Sequence, residues 1–219
     1  MWLYVWTSAL KNAYMGTWAI KEIYLWTTKV RPVGTTIMSL SDIDQQSEFE
    51  RQTVISSASL LTVSWSNPVK YGYSSAVRYW GWQTKTDITF PTKGEMFLDC
   101  IFGLHNRNSE SWIWLYFTDG NALGYQQWTL TTTTSQPRLN YPWGGVQPTS
   151  VNFMDGARHT LKATWNGWTY NARIDSTQIL SNVSWTNKSG YTFRFVIFWG
   201  SAYWIVQKSI YNFYVKDLS

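Results

Sequence analysis

Asp155-Gly-Ala-Arg-His-Thr-Leu-Lys-Ala-Thr-Trp-Asn-Gly-Trp-Thr-Tyr-Asn-Ala-Arg-Ile-Asp175 is the stretch whose reading decides the fold. It opens on a turn, Asp155-Gly156, and continues as an alternating strand. His159, Leu161, Ala163 and Trp165 share one face of it, and Arg158, Thr160, Lys162 and Thr164 share the other, because side chains in a strand repeat every two residues. Asn166-Gly167 is a strong short hairpin signal, since a type I′ turn needs positive φ at both central residues. The return strand puts Trp168, Tyr170, Ala172 and Ile174 on the apolar face and Asn171, Arg173 and Asp175 on the polar one. Two half-buried strands joined in this way predict antiparallel sheet.

Outward from this hairpin the same grammar recurs. Met96, Leu98, Cys100 and Phe102 alternate with Glu95, Phe97, Asp99 and Ile101. Ile113, Leu115 and Phe117 alternate with Trp112, Trp114 and Tyr116, so that strand is apolar on both faces. Further strands are read at Leu60–Trp65, Asp87–Phe90, Tyr125–Thr132, Tyr191–Trp199 and Ser209–Asp217, the last with Tyr211, Phe213 and Val215 inward. Thr131 to Gly145, with Pro137 and Pro142, reads as a long loop, and Ser181 to Gly190 as a polar connection. Ser39 to Arg51 is polar and acidic. At least eight strands with hardly any helix predict an all-β, two-sheet antiparallel sandwich.

The chain has 219 residues, enough for one large β domain with an appendage. Its 16 Trp, 14 Tyr and 10 Phe make 18% of the sequence aromatic against 14% charged. One sandwich core does not account for so many rings, which implies an aromatic surface for sugar or another subunit. The net charge of +5 is scattered, which argues against a nucleic-acid footprint. Cys100 is the single cysteine, so no intramolecular disulfide forms, and two histidines with one cysteine argue against zinc. No 18-residue apolar run predicts membrane insertion. The first residues lack the basic start of a classical signal peptide. A signal-less chain at a virion or extracellular surface would arrive there by lysis.

Residues 1–36 differ in style. Tyr4-Val5-Trp6-Thr7-Ser8 returns as Tyr24-Leu25-Trp26-Thr27-Thr28, which suggests two similar strands, and Lys11, Lys21, Lys29 and Arg31 outnumber Glu22. Two strands alone are marginal in water. The segment is therefore expected to dock, either on its own domain at 37–219 or on another subunit.

The hairpin at 155–175 and the closing strand ending at Asp217 resemble the concanavalin A-like lectin/glucanase jelly rolls, laminin-G-type domains included. The N-terminal segment around Leu10–Gly16 is similar to segments of phage tail-associated proteins. The first resemblance implies a jelly roll that binds glycans on one sheet or at the loop rim, hydrolyses them, or serves as an adhesive module. Hydrolysis in this family uses the pattern Glu-x-Asp-x-(x)-Glu. Glu95 and Asp99 share a face, but Phe97 stands where that pattern has Asp, so no catalytic residues are assigned.

Sugar binding needs flat rings and polar groups to orient hydroxyls. Trp112, Trp114 and Tyr116 would supply the rings, with Arg78, Asn171, Arg173 and the loop residue Trp143 beside them. The alternative is that the stripe faces the opposing sheet or a subunit interface. Trp80 and Trp82 flank Gly81, which is equally consistent with a bulge. His159, on an apolar face, reads as a core histidine. No cofactor is expected beyond a structural calcium, which Asp42 or Asp44 with Asp217 could hold. The leading expectation is a non-enzymatic virion or surface subunit, such as a phage tail or capsid component. It would form homo-oligomers or contact other virion subunits, with a cell-surface glycan as further partner. A stand-alone lectin domain is the alternative, followed by a glycoside hydrolase.

Overall fold

The computed structural model describes residues 14–15, 18–19, 23–25, 28–30, 34–53, 60–64, 67–73, 80–102, 111–131, 134–141, 144–146, 151–199 and 208–219. Near the N-terminus β1 (Tyr14–Met15) pairs with β2 (Trp18–Ala19), and β3 (Ile23–Leu25) with β4 (Thr28–Val30), each pair a separate ribbon. Tyr4–Ser8, the first copy of the expected repeat, lies outside the described residues.

The sandwich is built from β5 (Thr35–Ser39), β6 (Phe49–Thr53), β7 (Leu60–Ser64), β8 (Val69–Tyr73), β9 (Trp80–Thr84), β10 (Ile88–Thr89), β11 (Lys93–Ile101), β12 (Ser111–Phe117), β13 (Ala122–Thr131), β14 (Thr134–Tyr141), β15 (Gly144–Val146), β16 (His159–Asn166), β17 (Thr169–Ile174), β18 (Thr177–Ser184), β19 (Thr192–Trp199) and β20 (Lys208–Asp217). Sheet I runs β18-β17-β16-β11-β20-β8-β7, with β5 also on β20. Sheet II runs β15-β14-β13-β12-β19-β9-β6, with β10 also on β19. All pairings are antiparallel. The only helical turns among the described residues are 3-10 turns at Leu40–Asp42 and Gln46–Glu48. No helix there is long and apolar enough to cross a membrane.

Alternation decides what lies between the sheets. Met96, Leu98 and Cys100 of β11, Leu161, Ala163 and Trp165 of β16, and Tyr170, Ala172 and Ile174 of β17 are buried from sheet I. Ile113, Leu115 and Phe117 of β12, with Phe193, Phe195 and Ile197 of β19, meet them from sheet II. Each Leu, Ile, Met or Phe among them contributes roughly 1.5–3 kcal/mol by leaving water. Inside this core the Trp165 indole donates to the Pro91 carbonyl at 2.9 Å, whereas the buried Tyr125 and Tyr170 hydroxyls have no hydrogen-bond partner among the described residues. Lys208 is fully buried, donates to the Trp112 carbonyl and lies 4.8 Å from the Phe102 ring, so it ties β20 to β12 across the core. Burial pushes its pKa well below the ordinary lysine value.

Four local readings change. The hairpin pairs Asn166 with Thr169, so its two central residues are Gly167 and Trp168. Only Gly167, at φ +56°, is left-handed there, the pattern of a type II′ turn rather than I′. The stretch from Thr134 to Tyr141 is a strand, not a loop. Pro137 fits because β15 covers β14 only from Leu139 to Tyr141, which leaves that proline an open side. Thr177–Ser184 likewise forms an edge strand, which takes in the first four residues of the connection expected from Ser181 to Gly190. In β20 the pairing with β11 slips between Asp99 and Cys100, so Ile210 turns inward and Tyr211 outward.

The domain boundary expected at residue 36 falls inside β5, whose Thr35 and Thr36 pair with Asp217 and Lys216.

Candidate functional site

The outer face of sheet II gathers aromatic and polar side chains through register alone. Asn140 pairs with Gly124, Gly124 with Trp114, Trp114 with Val196, Val196 with Gln83, and Gln83 with Glu50. Cross-strand partners point to the same side. Asn140, Trp114, Val196, Gln83 and Glu50 therefore form one row running across the strands. At ~4.8 Å per strand the five steps from β14 to β6 span about 24 Å.

Trp112, Trp114 and Tyr116 run along β12 through the middle of this row, pointing away from the opposing sheet. Trp112 stacks on Trp114 with centroids 4.2 Å apart, and Tyr116 follows at 6.3 Å. With Val196 and Ala122 they form a small apolar cluster separate from the main core. The stripe is not an open platform: Trp114 is only 7% exposed, and Trp112 and Tyr116 are half-buried. The Trp114 indole nitrogen has no hydrogen-bond partner.

Gly124 makes this packing possible. It has φ +148°, and a Cβ there would stand 2.4 Å from the Ile113 carbonyl oxygen and 2.9 Å from Trp114 Cβ. On that flank the Asn140 amide donates to Gln126 Oε1.

On the other flank lies a charged cluster. Arg194, paired with Tyr116 across the ladder, donates from Nε to Asp87 and from Nη1 to Glu50. Gln83 Nε2 donates to the same Glu50 oxygen at 3.0 Å. The hydrogen bonds from Gln83 and Arg194 hold the Glu50 carboxyl below its ordinary range, which keeps it an anion at neutral pH. Asp87 and Glu50 hold Arg194 above its ordinary value. One guanidinium thus brings two carboxylates together at the end of an aromatic row.

The residues expected from sequence are divided by the fold. Trp112, Trp114 and Tyr116 lie on sheet II, whereas Asn171 and Arg173 lie on the outer face of sheet I, on the opposite side of the sandwich. There they tie β17 to β18, Asn171 Oδ1 accepting from Asn182 N at 2.7 Å and Arg173 Nε donating to Gln178 at 2.7 Å. Arg78 and Trp143 lie outside the described residues.

The acidic candidates for calcium are spread out. β5 runs from Thr35 beside Asp217 to Ser39 beside Tyr214, and Asp42 and Asp44 come after that far end. Asp42 caps the Ser39 amide at 2.7 Å, and Asp217 accepts from Ser219 N at 2.8 Å. Among the described residues no three His, Cys, Asp or Glu side chains stand together as a metal site.

Glu95 and Asp99 also face outward from sheet I. Four residues of strand set their Cα atoms about 13 Å apart, and each carboxylate is engaged by its own cation. Glu95 is bonded by Lys162 at 2.8 Å and Tyr214 at 2.7 Å, and Asp99 by Arg158 at 2.6 Å. Burial would raise the Glu95 carboxyl, but the bonds from Lys162 and Tyr214 bring it below its ordinary value. His159 is a satisfied structural histidine, bonded to Asp175 at 2.8 Å and Asp155 at 3.0 Å. Glu50, Gln83, Asp87 and Arg194 escaped the sequence reading because no spacing links them. Only the strand order brings them together.

Comparison with known proteins adds the fold's relatives. No family model matches the chain, and no curated protein matches it. Solved structures do. A glycosyl hydrolase family protein from Mycobacterium fortuitum superimposes with a TM-score of 0.54 at 12% identity, covering 83% of this chain and 99% of that one. A Crh5 transglycosylase in complex with NAG gives 0.58 at 10% identity, with 85% and 86% covered. The Bacillus licheniformis beta-glucanase gives 0.50 at 9% identity, with 77% and 91% covered. The sandwich thus has the concanavalin A-like jelly-roll fold that these structures share. These relatives correct the expectation of a non-enzymatic virion or surface subunit: the architecture is matched by carbohydrate-acting enzymes, which favours the glycoside hydrolase alternative.

Proposed function

We propose that the protein is a carbohydrate-active enzyme, a glycoside hydrolase or transglycosylase that lays a β-glucan across the outer face of sheet II. The observation that carries this reading is the row itself. It sets the half-buried rings of Trp112 and Tyr116 on β12 for pyranose faces, amides at Asn140 and Gln83 for hydroxyls, and a carboxylate pair gathered on Arg194. Low-identity likeness to glucanases supports the substrate class without assigning a residue.

Retaining cleavage needs one carboxylate to attack the anomeric carbon and one carboxylic acid to protonate the leaving oxygen. Glu50, kept anionic by Gln83 and Arg194, suits the nucleophile. Asp87, held by the same guanidinium, is the second carboxyl of the pair, and to protonate the leaving oxygen it must first leave Arg194 and take up a proton. Water then releases the glycosyl group from Glu50 in a hydrolase, and a sugar hydroxyl does so in a transglycosylase.

The test is release of reducing ends, or redistribution of chain lengths by mass spectrometry, from laminarin and mixed-linkage β-glucan. Glu50→Gln should lower turnover at least about a hundredfold, the low end for losing such a group. Turnover unaffected by Glu50→Gln removes that residue from the mechanism. Glycan binding that Trp112→Ala abolishes, with no cleavage of any glucan, overturns the enzymatic reading.

A further inference from the structure

Among the described residues, two large apolar side chains stand in solvent, and both lie at one end of the sandwich. Trp168 is 65% exposed and Tyr191 is 41% exposed. Each continues the inward parity of its strand: Trp168 leads to buried Tyr170 and Ala172, and Tyr191 to buried Phe193 and Phe195. Past the strand ends that parity carries the rings beyond the core, which closes at this end in the Phe90–Trp165 stack, 4.4 Å apart, with Trp185 alongside.

Both rings are mounted on well-bonded backbone. Trp185 donates from its amide to the Trp168 carbonyl at 3.0 Å and from its indole to the Gly167 carbonyl at 2.7 Å. Gly167 N donates to the Thr92 carbonyl at 2.8 Å. On the other side Phe90 N donates to the Tyr191 carbonyl at 2.8 Å, and Lys188 Nζ lies 4.8 Å from the Tyr191 ring. The segment from Phe90 to Thr92 therefore holds one aromatic position at each of its ends. Thr92 and Ser189 add a hydroxyl pair, 2.6 Å apart, to the same region.

A two-residue turn asks for glycine at Gly167 but for nothing apolar at Trp168. Leaving an indole in water there contributes nothing to the core. Beside the rings lie the Thr92 and Ser189 hydroxyls and the Lys188 ammonium, and two rings alone fall short of the continuous apolar surface of several hundred Å² that protein docking uses. We propose that this end of the sandwich is a second carbohydrate-binding site. Trp168 and Tyr191 take the C–H faces of pyranose units, and Thr92 and Ser189 bond their hydroxyls. Its role is to hold a long polymer, apart from the face where we place cleavage. The choice of a glycan rests on the carbohydrate reading above, but the site shares no residue with the sheet II row.

The experiment is affinity electrophoresis of the full chain in gels containing laminarin or mixed-linkage β-glucan, with hydrolysis of a short gluco-oligosaccharide assayed in parallel. Trp168→Ala and Tyr191→Ala should each weaken polymer retention roughly tenfold, about the worth of one aromatic contact. Short-substrate turnover and circular dichroism should be unchanged, and Trp112→Ala should instead impair the short substrate. If no cleavage is seen with any substrate, retention that Trp168→Ala and Tyr191→Ala weaken still supports the end site while the enzymatic reading falls. Polymer retention equal to the parent in both variants overturns the proposal, as does absence of retention in the parent. A changed sedimentation coefficient in Trp168→Ala also overturns it and makes this end a self-association surface.

Discussion

Replacing Gly124 by alanine tests whether the site's aromatic row depends on a missing side chain. At φ +148° an alanine is strained wherever it stands, at a cost of roughly 1–3 kcal/mol. Its Cβ would also lie 2.4 Å from the Ile113 carbonyl oxygen, 2.8 Å from Trp114 Cα and 2.9 Å from Trp114 Cβ. These are mostly backbone atoms, so relief requires opening the β12–β13 ladder, an overpacking cost of about 1–3 kcal/mol more. Together these come to about 2–6 kcal/mol. At roughly 2–4 °C per kcal/mol for a chain of this size, Tm should fall by about 4–24 °C. Gly167→Ala supplies the control: it is strained at φ +56°, but its Cβ would meet nothing within 4 Å. It should therefore cost only about 1–2 kcal/mol. Scanning calorimetry of both variants separates strain from overlap. A Gly124→Ala loss no greater than that of Gly167→Ala refutes the close approach of β13 to the Trp114 backbone.

His159 predicts a pH dependence. Burial lowers its pKa, but the bonds to Asp175 and Asp155 outweigh burial and raise it. The stabilisation from the paired imidazolium is thus complete below the unfolded value near 6.5 and disappears as pH rises through the folded value. Asp155, through the Ala157 amide and His159, and Asp175, through the Thr160 amide and His159 against burial, are lowered, so their share is lost as pH falls below about 4. His159→Asn should lose most stability relative to the parent between roughly pH 4 and 6.5 in urea titrations, and a pH-independent difference would refute the ion pair. Glu95→Gln should leave glucan binding and cleavage intact and cost at most about 1 kcal/mol, since Lys162 is half exposed. Loss of turnover in Glu95→Gln would move the catalytic face to sheet I.

Alternation made the faces of individual strands legible. Leu161, Ala163 and Trp165 are buried as read, as are Met96, Leu98 and Cys100, and Trp112, Trp114 and Tyr116 share one outer face. What alternation does not carry is which strands are neighbours. A period of two says that Asn171 and Trp114 both point outward, yet not that they point outward from different sheets. Glu50 and Asp87 come to Arg194 from segments more than a hundred residues away in sequence, and no local pattern records that meeting. The slip in β20 was equally hidden, because Tyr211 and Phe213 fit a period of two in the sequence while the bulge at Tyr211 turns that ring outward and Ile210 inward. Pro137 and Pro142 argued against a strand at Thr134–Tyr141, yet a proline excludes only the side of the ladder its missing N–H would serve.

The strand order also bears on how the chain is made. β19 lies between β12 and β9 in sheet II, and β20 lies between β11 and β8 in sheet I. Both sheets are therefore completed from the middle by the last two strands of the sandwich. A nascent chain that has emerged only as far as β18 has its earlier strands β6 to β9 and its later strands β11 to β18 with nothing to join them, and exposed edges in each group. Closure waits on the final segment, and nearly all of its contacts are long-range, an arrangement that slows folding and lengthens exposure to aggregation. Synthesis, rather than the finished molecule, is where this sandwich is most vulnerable.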